Sequence, residues 1–291
     1  MAERTLAENT AQVKADFKGV KDAIFSQVGY DLNGVPTSEY GNKVNDACSE
    51  MYTIGKQDGE HMGYETGKND GIAEAEFAFW KIFTDGGKRS SYNYAFGYAD
   101  YSRCTIPQGL CKPKTQIQYM FYSYQGECLP SGVDCSEFNS STASYQPVYM
   151  FGYSRNLKRI YDMKIPAVTS YNSTFYYCDN LEEIEIIRCD ENTAFNNSSF
   201  GNCPKLVKVK FEGTIASDIN LQWSKDLDIE SLISLFYCLK DFTGTSEAYT
   251  KTITLSTESW TLLSEYLLEN GYEDHINAQD VIQNNLGWKV A

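Results

Sequence analysis

The sequence is poor in the groups that most catalytic and membrane proteins depend on. It has two histidines, His61 and His275. None of its nine cysteines sits at a Cys-x-x-Cys or Cys/His spacing suited to zinc. No glycine-rich phosphate loop and no Cys/His nucleophile arrangement occurs. These gaps predict no resident metal and no cofactor. No stretch approaches the 18 or so uninterrupted apolar residues of a membrane-spanning helix, so no membrane insertion is expected. The opening MAERTLAENTAQVKADF lacks the apolar core of a signal peptide. The expectation is a chain made and folded in a cytoplasm, where thiols stay reduced. Positive charge is also scarce: 25 Lys and Arg stand against 39 Asp and Glu, a formal net charge of −14. Binding to nucleic acid or to an anionic membrane would be electrostatically opposed.

Aromatic residues are plentiful: 22 Tyr, 15 Phe and 4 Trp in 291 residues. Tyrosine suits both small β-rich cores and amphipathic contact faces. Buried free thiols are the expected state of the cysteines. The equal spacing of Cys104/Cys111 and Cys128/Cys135 leaves pairing within either couple open.

Four regions follow from the patterning. Residues 1–35 contain a helix whose apolar seam, Leu6, Thr10, Val13, Phe17, Val20 and Ile24, alternates steps of four and three. Such a seam either bundles copies of the chain or packs on its own domain. Residues 36–91 begin after Gly29, Gly34 and Pro36, and a helix carrying Tyr40, Val44, Cys48 and Met51 follows. Gly55, Gly59, Gly63, Gly67 and Gly71 then recur every fourth residue. A helix there would lose on the order of 5 kcal/mol relative to alanine and would need close backbone packing as the offset. A hydrated linker is the other reading. Residues 72–83 predict a helix ending at Asp85-Gly86-Gly87.

In the third region, 92–225, Phe151-GYS-RN-Leu157-KR-Ile160 aligns with Phe175-YYC-DN-Leu181-EE-Ile184-E-Ile186 and with Phe200-GNC-PK-Leu206-VK-Val209-K-Phe211. The phenylalanines are 24 and 25 residues apart, and Tyr119-Met120-Phe121 echoes Tyr149-Met150-Phe151 as a partial earlier unit. This period predicts a solenoid of short parallel strands. Cys178 and Cys203 share one repeat position, which points to burial rather than catalysis. Arg159, Glu183 and Lys208 would stack as one exposed column and Tyr161, Glu185 and Lys210 as the next. They would serve either as charge ladders or as a binding face. Tyr153, Tyr171, Tyr176 and Tyr177 join them as candidate contact residues. The fourth region, 226–291, predicts a helix over 229–242, a strand over 250–256, a helix over 258–270 closed by Gly271, and a terminal strand in GWKVA. This α/β segment would cap the array. The sequons at Asn139, Asn172, Asn196 and Asn197 read as loop polarity.

The repeat F-x-x-C-x-x-L-x-x-I resembles the BspA-type leucine-rich repeat. LAENTAQVKADFKGVKDAI followed by GVPTSEYGNKV, and WKIFTDGGKRSSYNYAFGY, resemble the N-terminal region of minor structural and tail proteins of Firmicutes phages. IESLISLFYCLKDFTGT with TITLS and GWKVA is similar to their C-terminal cap. The resemblance implies an α+β fold: an N-terminal coiled-coil-like oligomerisation region, then a short leucine-rich-repeat solenoid with a C-terminal α/β cap. It implies a virion structural protein of the fibre, tail or baseplate type, made in the host bacterial cytoplasm. Such fibres are often homotrimers. The N-terminal region would bind other virion proteins and the repeats a host-surface glycan or protein. A bacterial BspA-like adhesin is the alternative, but it would carry an export signal and an anchor. A glycan-active fibre enzyme would need two carboxylates across a cleft. Glu182, Glu183 and Glu185 instead fall on a repeat strand, so no catalytic residue is assigned.

Overall fold

The computed structural model describes Trp80, Lys81, Thr84, Lys88 and residues 91–139 and 146–291. The seam from Leu6 to Ile24 and the glycine-spaced segment lie outside the described residues. The described residues fall into two compact units. One takes in the four isolated residues with 103–112 and 130–133; the other takes in 91–102, 113–129, 134–139 and 146–291.

In the first unit, Trp80 and Lys81 are helical, as the 72–83 pattern predicts. The Thr84 amide and hydroxyl both donate to the Trp80 carbonyl, at 2.9 and 2.7 Å. Two parallel bridges, Thr105 with Ser131 and Cys111 with Val133, tie the remaining segments. Gly132 has φ +87°, and a Cβ there would run into the Ile106 carbonyl. Only glycine fits at that position.

The second unit is a stack of turns. Phe96, Phe121, Phe151, Phe175 and Phe200 are all buried. Their rings lie nearly parallel, with successive centroids 4.9, 5.5, 5.7 and 5.3 Å apart. Three of these turns are the ones the sequence period predicts. The partial unit expected at Tyr119-Met120-Phe121 is a fourth turn, and the structure adds a fifth before it, at Phe96. Their signal is weak because Ser102 and Glu127 stand where later turns carry leucine, and because the interval from Phe121 to Phe151 is 30 residues.

The backbone of each turn follows one rule. The residues two before and two after the phenylalanine take the left-handed conformation: Tyr94 and Tyr98, Tyr119 and Ser123, Tyr149 and Tyr153, Ser173 and Tyr177. In the last turn only Asn202 does so. This conformation costs about 1–2 kcal/mol at a non-glycine residue. Hydrogen bonding explains why it persists. With alternate residues flipped, the phenylalanine amide and the amide two residues later point at the next turn. Phe96, Phe121, Phe151 and Phe175 donate across at 2.8–2.9 Å, and Tyr98, Ser123, Tyr153 and Tyr177 at 2.7–3.1 Å. The amides between close bonds within the turn, such as Gly152 to Tyr149 at 3.0 Å. A buried amide left without a partner would cost about 1–3 kcal/mol, so the ladder outweighs the strain.

Three of the phenylalanine carbonyls gain a side-chain donor from the following turn. Ser154 Oγ donates to Phe121 O at 2.7 Å, Cys178 Sγ to Phe151 O at 3.1 Å, and Cys203 Sγ to Phe175 O at 3.0 Å. The recurrent cysteine is therefore a buried hydrogen-bond donor. Burial pushes the Cys178 thiol far up and Cys203 to about 12, which makes both inert as nucleophiles.

Leu157, Leu181 and Leu206, fully buried, lead into β1 (Arg159–Ile160), β2 (Glu183–Cys189) and β3 (Lys208–Gly213), a parallel sheet in that order. Ile160, Ile184 and Val209 pair in register and point inward. The predicted alignment of Ile186 with Phe211 is corrected. A bulge after Ile184 makes Ile187 the buried partner of Phe211 and leaves Ile186 half-buried.

The open edge of β3 is covered by helix α1 (Ile229–Cys238), whose N-cap is Asp228. Its serines substitute for a further strand. Val209 N–H donates to Ser231 Oγ at 2.9 Å and Phe211 N–H to Ser234 Oγ at 3.1 Å. A bare sheet edge is thereby closed to further pairing. A second parallel sheet, β4 (Ile219–Asn220), β5 (Thr252–Thr254) and β6 (Lys289–Val290), follows, with α2 (Thr257–Glu269) and α3 (Ala278–Leu286). The sequence reading lacks α3. Its ends were legible all the same: Asn277 caps it by accepting from the Asp280 amide at 2.9 Å, and Gly287 closes it at φ +68°.

Candidate binding surface

The strands and the turns present two chemically different surfaces on the same repeats. On the strand surface the expected first column forms, with Arg159, Glu183 and Lys208 in register. Arg159 Nε donates to Glu183 Oε2 at 2.7 Å. The second column is altered by the bulge. Glu185 accepts from the Asp162 amide at 2.9 Å, Lys210 pairs with Glu212 of its own strand at 2.8 Å, and Tyr161 is half-buried. Arg188 holds Asp162 with two nitrogen–oxygen contacts of 2.9 and 2.8 Å, and Glu212 lies 3.6 Å away. The Arg188 guanidinium keeps the Asp162 carboxyl below its ordinary range. Arg159 with Glu183, Arg188 with Asp162, and Lys210 with Glu212 are thus occupied with one another.

On the turn surface there are almost no ion pairs and many rings. Tyr94, Tyr119 and Tyr149 form one column, with centroids 4.6 and 5.6 Å apart and planes within 8°. Tyr153 and Tyr177 form another, at 5.3 Å and 10°. Tyr122 and Tyr176 lie across the columns. Tyr122 meets Tyr94, Tyr98, Tyr119, Tyr149 and Tyr153 edge-on at 5.4–6.4 Å. Tyr176 meets Tyr149, Tyr153 and Tyr177 at 4.5–6.3 Å.

Room for these transverse rings comes from glycine. The position after each phenylalanine reads Gly97, Tyr122, Gly152, Tyr176, Gly201. A Cβ on Gly152 would lie 2.9 Å from Tyr149 Cδ1 and 3.5 Å from Tyr122 Cδ2, and one on Gly201 2.9 Å from Tyr176 Cδ2. Every second turn thus leaves a bare patch against which the neighbouring tyrosine rests.

The eight tyrosines are half-buried or exposed, Tyr94 and Tyr98 about half so at 48% and 47%. Burial and neighbouring phenols raise Tyr94 and Tyr122, and burial with the Tyr177 hydrogen bond raises Tyr176. These three phenols therefore stay uncharged well past neutral pH. At its end Arg155 sits 5.6 Å from the Tyr177 centroid and 3.6 Å from Asp179.

Of the sequence candidates, Tyr153, Tyr176 and Tyr177 fall together on this face, while Arg159, Tyr161, Glu183, Glu185, Lys208 and Lys210 belong to the strand surface. Tyr171 is a correction. It is 3% exposed, its hydroxyl donates to Arg188 O at 3.2 Å, and its ring stacks on Phe195, so it is core. Tyr94, Tyr98, Tyr119, Tyr122 and Tyr149 are additions. The pattern Y-x-F-(G/Y)-(Y/S), present as YAFGY, YMFYS and YMFGY, marks them.

All eight cysteines among the described residues are free, and only Cys128 is exposed, so neither Cys104/Cys111 nor Cys128/Cys135 is bonded. Among the described residues no group of three or more His, Cys, Asp or Glu is placed to hold a metal ion, and no helix is long and apolar enough to cross a membrane. Compared with known proteins, the chain matches no family model, no curated protein and no solved structure.

Proposed function

We propose that the chain is a structural protein of a phage virion, of the fibre, tail or baseplate type. Its stack of turns is a short leucine-rich-repeat solenoid that binds a host surface or another virion protein. Residues 1–35 anchor and oligomerise it, as a homotrimer, through Leu6, Thr10, Val13, Phe17, Val20 and Ile24. Residues 226–291 close the array. The observation that carries the binding half is the eight-tyrosine face. These rings lie outside the core, six of the eight on backbone held in the left-handed conformation. Among the described residues, Arg155 beside Tyr177 is the one cation placed over a ring of this face. The assembly half rests on the resemblance of the flanking segments and on the seam.

Size-exclusion chromatography with light scattering on the full chain, together with labelling of intact particles by an antibody to the chain, tests the assembly half. The expected result is an oligomer in solution and label on the particle. A strict monomer that no particle carries overturns it.

A further inference from the structure

We propose that the tyrosine face binds an uncharged, extended polysaccharide lying along the stack, several sugar units at a time. This rests on the reading of that face as the binding surface, and it adds the chemistry of the ligand.

Charge is the first argument. In a chain that is 22% charged, the five turns 94–98, 119–123, 149–153, 173–177 and 198–202 contain no Asp, Glu, Lys or Arg. A protein partner is usually held in register by charged and polar pairs around an aromatic centre. This face offers none across its length, and the pair Arg155–Asp179 stands only at its end. Polyanionic glycans are disfavoured by a net charge of −14. An uncharged ligand loses nothing on either count.

Repetition is the second argument. The rings recur from turn to turn at 4.6 and 5.6 Å along Tyr94, Tyr119 and Tyr149, and at 5.3 Å from Tyr153 to Tyr177 in the second column. A periodic face suits a periodic ligand, because each added unit meets the same chemistry. The column rings stack face to face, so the ring faces not engaged in a stack are those of the transverse Tyr122 and Tyr176. Such electron-rich faces attract the weakly positive C–H groups on the apolar side of a pyranose. The phenol hydroxyls around them donate to and accept from sugar hydroxyls. Tyrosine brings this area at low conformational cost, and here the inter-ring packing orders the side chains beforehand.

The third argument is the alternation of Gly97, Tyr122, Gly152, Tyr176 and Gly201. Glycine at the same backbone position in three turns shows that the turn folds without a ring there. The turn backbone itself therefore does not require Tyr122 or Tyr176, whose rings lie over the bare glycines of the neighbouring turns on the tyrosine face.

The test is titration of the full chain, followed by calorimetry, with uncharged β-linked hexasaccharides of glucose, N-acetylglucosamine and mannose, their disaccharides, and polygalacturonate. At least one hexasaccharide is expected to bind about tenfold or more tightly than its disaccharide, and polygalacturonate not at all. Tyr122→Ala and Tyr176→Ala should each weaken binding by about tenfold, in protein shown by circular dichroism and a cooperative melt to be folded at the titration temperature. Absence of hexasaccharide binding at millimolar concentration, preference for the polyanion, or full affinity in both variants overturns the proposal. So does capture, through this face, of a protein whose binding survives periodate oxidation of its glycans. Particle labelling is independent of these outcomes. A labelled particle whose protein binds no neutral glycan removes this inference alone, and a glycan-binding chain absent from particles removes the assembly reading alone.

Discussion

The strand side and the turn side of the same repeats use exposed polar residues in opposite ways. On the strand side Arg159, Asp162, Glu183, Arg188, Lys210 and Glu212 neutralise one another. On the turn side Tyr94, Tyr98, Tyr122, Tyr153 and Tyr176 touch chiefly other rings, and no charge lies among them. Being exposed and being available to a partner are therefore different properties. A charged column looks more like a recognition face in sequence, yet most of its charges are paired, whereas the five turns of the aromatic side contain no charged residue.

Four substitutions probe that contrast, from the largest expected effect to the smallest. Phe151→Ala removes the middle ring of the column shared by both sides. It should lower stability by about 3–5 kcal/mol in urea denaturation, and a loss below about 1 kcal/mol would show that the two sides do not hang on one core. Ser231→Ala strips the Val209 amide of its acceptor on the covered edge of β3. A drop of about 1–3 kcal/mol is expected, with faster hydrogen exchange at Val209 as the local readout. Unchanged exchange there would mean the helix covers the edge without bonding it.

Asp162→Asn weakens the Arg188 pair. The folded state holds the Asp162 carboxyl below its ordinary value. The pair therefore stabilises fully above the unfolded value near pH 4 and fades as pH falls through the lower folded value. The variant should lose no more than about 1 kcal/mol at neutral pH and should show a shallower decline in melting temperature on acidification. An identical acid decline would remove Asp162 from the account. Tyr98→Asn has the smallest expected effect on stability. Asparagine tolerates the left-handed conformation at that position, so stability should stay within about 0.5 kcal/mol of the parent although an aromatic ring is gone. A larger loss would make the tyrosine side as structural as the strand side.

The inward positions were the legible part of the fold. Leu157, Leu181 and Leu206, with Ile160, Ile184 and Val209, repeat at a fixed interval, and burial imposes that regularity on sequence. The bulge in β2 was not legible, because Ile186 and Ile187 are equally apolar and only the ladder decides which one turns inward. Helix α3 escaped because its nine residues, AQDVIQNNL, carry little apolar periodicity and are defined by their caps. The turn at Phe121 was legible only in part, through Tyr119-Met120-Phe121, and the turn at Phe96 not at all, because Ser102 and Glu127 stand where later turns carry leucine. The binding surface was half visible for the same reason. Tyr153, Tyr176 and Tyr177 lie after or beside the aligned phenylalanines of turns with leucine, Tyr149 lies just ahead of the first of them, and Tyr94, Tyr98, Tyr119 and Tyr122 lie in turns without leucine.

The alternation of glycine and tyrosine after successive phenylalanines has a consequence for how such an array can change length. Inserting a single turn would set two tyrosines, or two glycines, side by side at Gly97, Tyr122, Gly152, Tyr176 and Gly201. The first crowds two rings into one space and the second leaves a gap in the pavement. Adding two turns preserves the order. Growth or shrinkage of this protein by duplication is thus quantised in pairs, and the unit of inheritance is a double turn of about fifty residues.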